Sequence, residues 1–206
     1  VPGVESAGVI GDLFIANSKE QVVTVERADE TFSERLRFRN DEVSADFFKA
    51  IGTRLLGGRF FSIEDGPNAP LVAIINDAMA RRLWPGRDPV GKRFKFGPRN
   101  SGNPWMEVVG VVGDMRRQGL EQEPIPQMFE PLAQNPSGLE TLLVRTSMNV
   151  DPLQMVGTLR AAVRRVEKDV PLYSVTSLED RLAAFLTQRR FQTSLLIAFS
   201  VVALLM

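Results

Sequence analysis

Four groupings of residues in this chain have types and spacings from which chemistry is commonly built. Gly86-Arg87-Asp88-Pro89-Val90-Gly91-Lys92-Arg93 matches the spacing of a phosphate-binding loop up to its lysine, whose backbone N–H groups would cradle phosphates. The residue after the lysine should carry a hydroxyl for magnesium, and here it is Arg93. Pro89 also removes a backbone donor, so the segment reads as a turn that uses glycine for backbone freedom. Glu64 and Asp65 are paired carboxylates of the kind used in acid–base or metal work, but they stand before Gly66-Pro67, where adjacent acids commonly form a solvated turn. Asp114 ends an apolar run and precedes Arg116-Arg117, a place where α/β enzymes put functional groups. No second convergent group accompanies it, and a local ion pair or helix cap is the expectation. Ser18-Lys19 lacks the Ser-x-x-Lys spacing of serine–lysine catalysis. The sequence therefore assigns no catalytic, cofactor-binding or metal-ligating residue, and no cofactor.

Composition narrows the chemistry further. The 206 residues contain no histidine and no cysteine, which removes thiolate and imidazole zinc sites, cysteine nucleophiles and every triad with a histidine base. Lys plus Arg and Asp plus Glu number 25 each, so no net field draws the chain to nucleic acid. With 44% hydrophobic residues it can bury a sizeable core, and the aromatic residues Phe47, Phe48, Phe60, Phe61, Trp84, Phe94, Phe96 and Trp105 are expected in that core rather than in a ligand pocket. Absence of cysteine does not separate cytosol from periplasm. Residues 1–4 read as the inside of a domain, and the chain as a fragment.

The elements that would position these groups follow from periodicity and punctuation. Strands are expected at residues 8–10, 13–15, 21–26 and 35–39, with Leu36 and Phe38 on one face. Ser44 is expected to cap a short helix through Phe47, Phe48 and Ile51 that stops at Gly52, and residues 54–58 resume extended structure. From residue 59, Gly-Pro and Pro-Gly pairs separate short elements. These are a buried strand at 71–75, a helix capped by Asn76 and ended by Pro85-Gly86, an alternating half-exposed strand at 93–96, a buried strand at 107–112, and a closing strand at 127–130. Thr141 to Arg145 reads as a strand. Asp151-Pro152 then opens a long amphipathic helix whose stripe Leu153, Val156, Leu159, Val163 and Val166 is expected to pack on a sheet. A short strand at 172–175 follows, then a helix through Leu182, Phe185 and Leu186 with Thr176 and Glu179 as its capping box. Residues 1–7 echo 170–175, a proline stop followed by a strand, which predicts a helix ahead of Val1 and an α+β unit made from the first and last thirds.

After Arg189-Arg190, residues 195–206 are apolar on every side of a helix, as at the start of a membrane span, although the two arginines run against the usual cytoplasmic enrichment.

Longer phrases carry a family likeness: Val43-Ser44-Ala45-Asp46-Phe47-Phe48; Gly57-Gly58-Arg59-Phe60-Phe61 with Asp65; and Ile74-Ile75-Asn76-Asp77-Ala78-Met79-Ala80-Arg81-Arg82-Leu83-Trp84-Pro85-Gly86. They continue through Asp88-Pro89-Val90-Gly91-Lys92-Arg93 and Val108-Val109-Gly110-Val111-Val112-Gly113-Asp114. In this order they resemble the MacB-like periplasmic core domain of FtsX-type ABC transporter permeases, and Arg189-Arg190-Phe191 with its Leu-rich tail is similar to the duplicated orphan permeases of acidobacteria. The resemblance implies an α+β fold: a porter-like α/β-sandwich subdomain (1–58 and 136–188) interrupted by a mixed α/β, Sabre-like insert (59–135), then the start of a transmembrane helix (189–206). It also implies a non-catalytic domain on the periplasmic side of the bacterial inner membrane, used in efflux or mechanotransmission, with residues 178–190 as the lever. The implied partners are the rest of the permease and its membrane helices, a second permease copy, a cytoplasmic ATPase subunit and a periplasmic adaptor. The alternative is a periplasmic ligand- or peptide-binding module, which requires a preformed apolar cleft.

Overall fold

A computed structural model describes residues 1–11, 13, 18–26, 31–115, 123–136, 140–170 and 172–181. Of the expected strand at 13–15 only Leu13 is described, and the helix after residue 181 and the apolar tail lie outside the described residues. Among the described residues no helix is long and apolar enough to cross a membrane. The chain divides into two compact units, Val4–Arg145 and Val1–Gly3 with Thr146–Met206.

The larger unit is built on strands β1 (Val4–Ile10), β2 (Lys19–Glu26), β3 (Thr31–Val43), β4 (Leu55–Gly58), β5 (Val72–Asn76), β6 (Arg93–Phe96), β7 (Met106–Val112), β8 (Gln127–Pro131) and β9 (Thr141–Thr146). Two short helices, α1 (Phe47–Ile51) and α2 (Asp77–Leu83), interrupt them. The sheet order is β2-β6-β7-β5-β8-β3-β1-β9, with β4 added to β7 and a further pairing of β2 with β3. That last pairing closes a ring, because β3 is long enough to serve two neighbours. Its first half, from Thr31 to Phe38, runs antiparallel to β2, and its second half, from Arg39 to Val43, runs parallel to β8. The ring thus takes β2 and β3 from the expected first part of the porter-like subdomain and β5 to β8 from the expected insert.

Closing a sheet separates an inner from an outer face. Val23, Val25, Leu36, Phe38, Ala73, Ile75, Phe94, Val108 and Met128 form one core, completed by Met79 and Leu83 of α2 and by Trp84, which follows it. A second core joins Ile10, Val43, Ile74, Val109, Val112 and Phe129 to Phe47 and Phe48 of α1. β5 contributes alternate residues to each core, which is why it reads as an unbroken apolar run and is buried throughout. In β7 the alternation slips: the register against β5 shifts between Ala73 and Ile74, so Val108 and Val111 face one core while Val109 and Val112 face the other.

Local signals were mostly realised, with several corrections. Asn76 caps α2, its side-chain oxygen accepting from Met79 N, and Gly52 ends α1 at φ 79°. Ser44 does not cap α1 through its side chain; its Oγ accepts from Val9 N and thereby ties α1 to β1, while its carbonyl accepts from Phe47 N. In β6, Phe94 and Lys95 are both buried while Arg93 is exposed, so burial does not alternate along the strand. Lys95 is held down by donation from Nζ to Ser101 O (2.7 Å) and by the Trp105 ring, 5.1 Å away.

In the smaller unit Asp151 accepts from Leu153 N as expected, but the first turn, Pro152–Met155, is a 3-10 helix, and α3 spans Val156–Val166. Along the apolar stripe of α3, Val156, Leu159 and Val163 are half-buried and Val166 is 88% exposed. Residues 172–175 are not a strand, since Ser174 takes φ 53°, incompatible with extended backbone. Residues 178–181 are helical, and their cap is Ser177, whose Oγ accepts from Asp180 N (3.0 Å), one position beyond the expected Thr176.

Candidate functional site

Several residues of the motifs that resemble chemistry serve the architecture. Gly86 and Gly91 take φ of 67° and 76° in the connection from α2 to β6, where Asp88 Oδ1 accepts from Val90 N and Gly91 N donates to Val108 O. The amide that a phosphate loop would aim at a ligand is thus bonded to β7. Ser18 Oγ accepts from Arg37 Nε across the β2–β3 pair, and Lys19 is exposed. Among the described residues no three acidic groups gather to hold a metal ion.

Asp65 is not the solvated turn residue expected. It is 5% exposed and receives both arms of Arg59, Nη1 to Oδ2 at 2.7 Å and Nη2 to Oδ1 at 2.8 Å, with Ser62 N donating to Oδ2 at 2.8 Å. The Arg59 hydrogen bonds, aided by Ser62, hold its carboxyl below the usual aspartate range against the opposing effect of burial. A lowered folded-state value stabilises above the unfolded value and is lost as pH falls through the folded one. Asp65→Asn is accordingly expected to cost about 2 kcal/mol at neutral pH, the scale of hydrogen bonds to charged groups. Urea denaturation across pH should show the difference from wild type shrinking below about pH 4, where aspartate takes up its proton. A difference that stays constant with pH contradicts the ionic clamp.

Asp114 acts as a cap. Its Oδ1 accepts from Asn76 Nδ2 (2.7 Å) and Ala78 N (2.9 Å), and its Oδ2 lies 3.3 Å from Arg81 Nη2. Asn76, 1% exposed, is the centre of this node: its Oδ1 accepts from Met79 N and Gln127 N, and its Nδ2 donates also to Ile125 O. One amide therefore joins the end of β5, the start of α2, the end of β7 and the start of β8. Gln127 continues the network, donating from Nε2 to Asp41 Oδ2 on β3.

A polar group that sequence reasoning passed over lies on the β3–β8 pair, where Glu42 stands directly across from Glu130. The run Arg39-Asn40-Asp41-Glu42 inside a strand was its visible signal. The aromatic residues do pack as core: Phe48 contacts Phe60, Phe61 and Phe129, and Trp84 contacts Phe94. Trp105 departs from this pattern, with Lys95 and Arg93 against its ring, Arg93 at 5.8 Å from the centroid.

What these arrangements do chemically is hold backbone segments in place. The Asn76 node and the Arg59–Asp65 clamp satisfy buried polar groups and fix strand ends, and neither points two reactive groups at a common space. Solved structures share the architecture. The periplasmic region of MacB from Actinobacillus actinomycetemcomitans aligns with a TM-score of 0.52 at 17% identity, over 81% of this chain and 69% of that one. A domain of a putative permease protein from Porphyromonas gingivalis aligns with a TM-score of 0.51 at 18% identity, over 88% of this chain and 83% of that one. No curated protein matches the sequence. At such identities the likeness concerns the fold, a mixed α/β arrangement with a sheet-dominated core. The sequence itself matches the family model described as MacB-like periplasmic core domain over residues 2–170, and the chain belongs to that family.

Proposed function

We propose that this chain is a non-catalytic, periplasmic domain of an ABC-transporter-type permease of the bacterial inner membrane, and that it transmits movement of membrane helices to a periplasmic partner or cargo. The family match over residues 2–170 carries this reading. The ring of strands supports the transmission step: each ring strand is hydrogen-bonded on both sides, and cores lie on both faces. Such a body moves as a unit instead of bending, as a lever requires. In this reading the apolar tail at 189–206 begins a membrane helix, residues 178–190 connect it to the domain, and the porter-like segments 1–58 and 136–188 flank a Sabre-like insert at 59–135. The partners are the remainder of the permease, with a second copy, an ATPase subunit and a periplasmic adaptor as further components of an efflux or mechanotransmission machine.

Spin labels test it in the full-length permease in bilayers. A pair inside the larger unit, at Pro67 and Gly102, is expected to keep one distance with and without ATP. A pair joining Gly102 to Glu167 of the smaller unit, or Gly102 to a membrane helix, is expected to change. Constant distances for every pair would remove the transmission role.

A further inference from the structure

The smaller unit leaves a series of apolar side chains uncovered. In α3, Val156, Leu159, Ala162, Val163 and Val166 follow the helical repeat and share one face. The first four are half-buried, and Val166 at the last turn stands open to solvent. Beyond the helix Val170, Tyr173, Val175 and Leu178 are exposed as well, and Tyr173 is the chain's one tyrosine.

Cations border this face. At 3.6 residues per turn Arg160 and Arg164 lie along one side of the stripe and Arg165 along the other. All three are exposed, and none forms an ion pair among the described residues. Lys168 follows, so residues 156–169 carry four basic side chains against the acidic pair Glu167 and Asp169. The chain as a whole is balanced, with 25 basic and 25 acidic residues, which makes the basic excess local to this helix.

Two magnitudes decide what could cover the stripe. A helix of 11 residues is about 16 Å long, and its apolar face is already half-covered, far short of the roughly 800 Å² per partner in a stable protein interface. A second copy would also bring its own Arg160, Arg164 and Arg165 to the contact. A bilayer surface needs neither large area nor a shaped partner: shallow burial of an apolar stripe suffices, with flanking arginines on anionic headgroups and a tyrosine at the interface. Residues 167–194 connect α3 to the apolar run at 195–206, within the same unit.

We propose that α3 docks on the bilayer surface, its stripe in the interfacial layer and Arg160, Arg164 and Arg165 on the headgroups of anionic phospholipids. The proposal rests on reading residues 195–206 as the start of a membrane helix, which holds the smaller unit at the bilayer. Anionic lipid content would then set how firmly that unit is seated.

The test uses the full-length protein without other cysteines, in vesicles of phosphatidylcholine with or without phosphatidylglycerol, and an environment-sensitive fluorophore at Val166→Cys. With phosphatidylglycerol, its emission should shift to the blue and be quenched by brominated lipid. Both effects should fade without the anionic lipid and at high salt, and each arginine changed to glutamine at 160, 164 or 165 should weaken docking about fivefold. The same fluorophore at Gly102→Cys should not respond. A Val166 probe that stays aqueous beside phosphatidylglycerol overturns the proposal. So does a blue shift without quenching by brominated lipid, which would mean that protein covers the stripe, and so does quenching that ignores lipid charge. A probe at Ala203→Cys reports separately on the membrane helix: Ala203 in lipid with Val166 in water refutes the docking alone, whereas Ala203 in water refutes the membrane-helix reading on which it rests.

Discussion

Gly110→Ala is expected to destabilise the larger unit by about 3–5 kcal/mol, or to prevent its folding, although the change adds a single methyl group. β4 crosses β7 at Gly58 opposite Gly110, and Arg59 N donates to Val109 O. A Cβ on Gly110 would lie 2.2 Å from Arg59 O, and one on Gly58, which takes φ 71°, would lie 2.2 Å from Val109 O. The obstacles are backbone atoms held in the sheet, so no rotamer change relieves them. Gly113→Ala, a few residues further along, is the control. Its Cβ would meet Arg54 O at 3.9 Å, an ordinary contact, and the variant should stay within about 1 kcal/mol of wild type. Urea denaturation of both variants makes the comparison. Equal effects would show that the close crossing of β4 and β7 is not what constrains Gly110.

Asn76→Ala is expected to cost about 4 kcal/mol. Loss of the α2 cap accounts for about 1 kcal/mol, and stranding buried groups such as Gln127 N and Ile125 O adds about 1–3 kcal/mol for each. Asn76→Asp separates the two halves of its role. The carboxylate keeps the acceptor for Met79 N and Gln127 N, but it loses the donor to Asp114 and Ile125 O and places a second negative charge beside Asp114. Its stability should therefore recover toward acid pH, whereas that of Asn76→Ala should not. Identical pH profiles for the two variants would show that the donor side of Asn76 contributes nothing.

Both predictions concern features of different legibility. The Asn76 cap was readable because capping is local: an apolar run ends in Asn, and a helical pattern follows within a turn. That the same side chain also bonds Gln127 N and Ile125 O was not readable, since the partners come from a distant strand. The ring closure has the same character. β2 pairs with β6 at Val23 and Phe96, and nothing in either segment encodes that meeting. The bulge in β7 defeats a period-two reading of residues 106–112, which is why the run looks merely apolar. Lys95 reads as solvent-facing by alternation, and only Ser101 O and Trp105 explain its burial. Adjacent hydroxyls in Thr176-Ser177 made the last cap ambiguous by one position.

The described polar groups have a mechanical reading. A body whose polar side chains clamp strand ends and whose glycines allow backbone crossings is specified for shape. Such a body suits the transmission role proposed above, and the segments resembling a phosphate loop or paired carboxylates serve as connections within it.

The most direct test of the central claim is the side of the membrane on which the domain stands. Gly102 is exposed in the connection between β6 and β7, and a Cβ there meets nothing within 4 Å, so Gly102→Cys leaves the fold undisturbed. This chain has no cysteine of its own, so on a full-length background without other thiols the new one reports alone. A membrane-impermeant maleimide, given access to the periplasm of cells with an intact inner membrane, is predicted to label Cys-substituted protein as fully as it does after lysis. Labelling that appears only once the inner membrane is broken would place the domain in the cytoplasm and contradict the account.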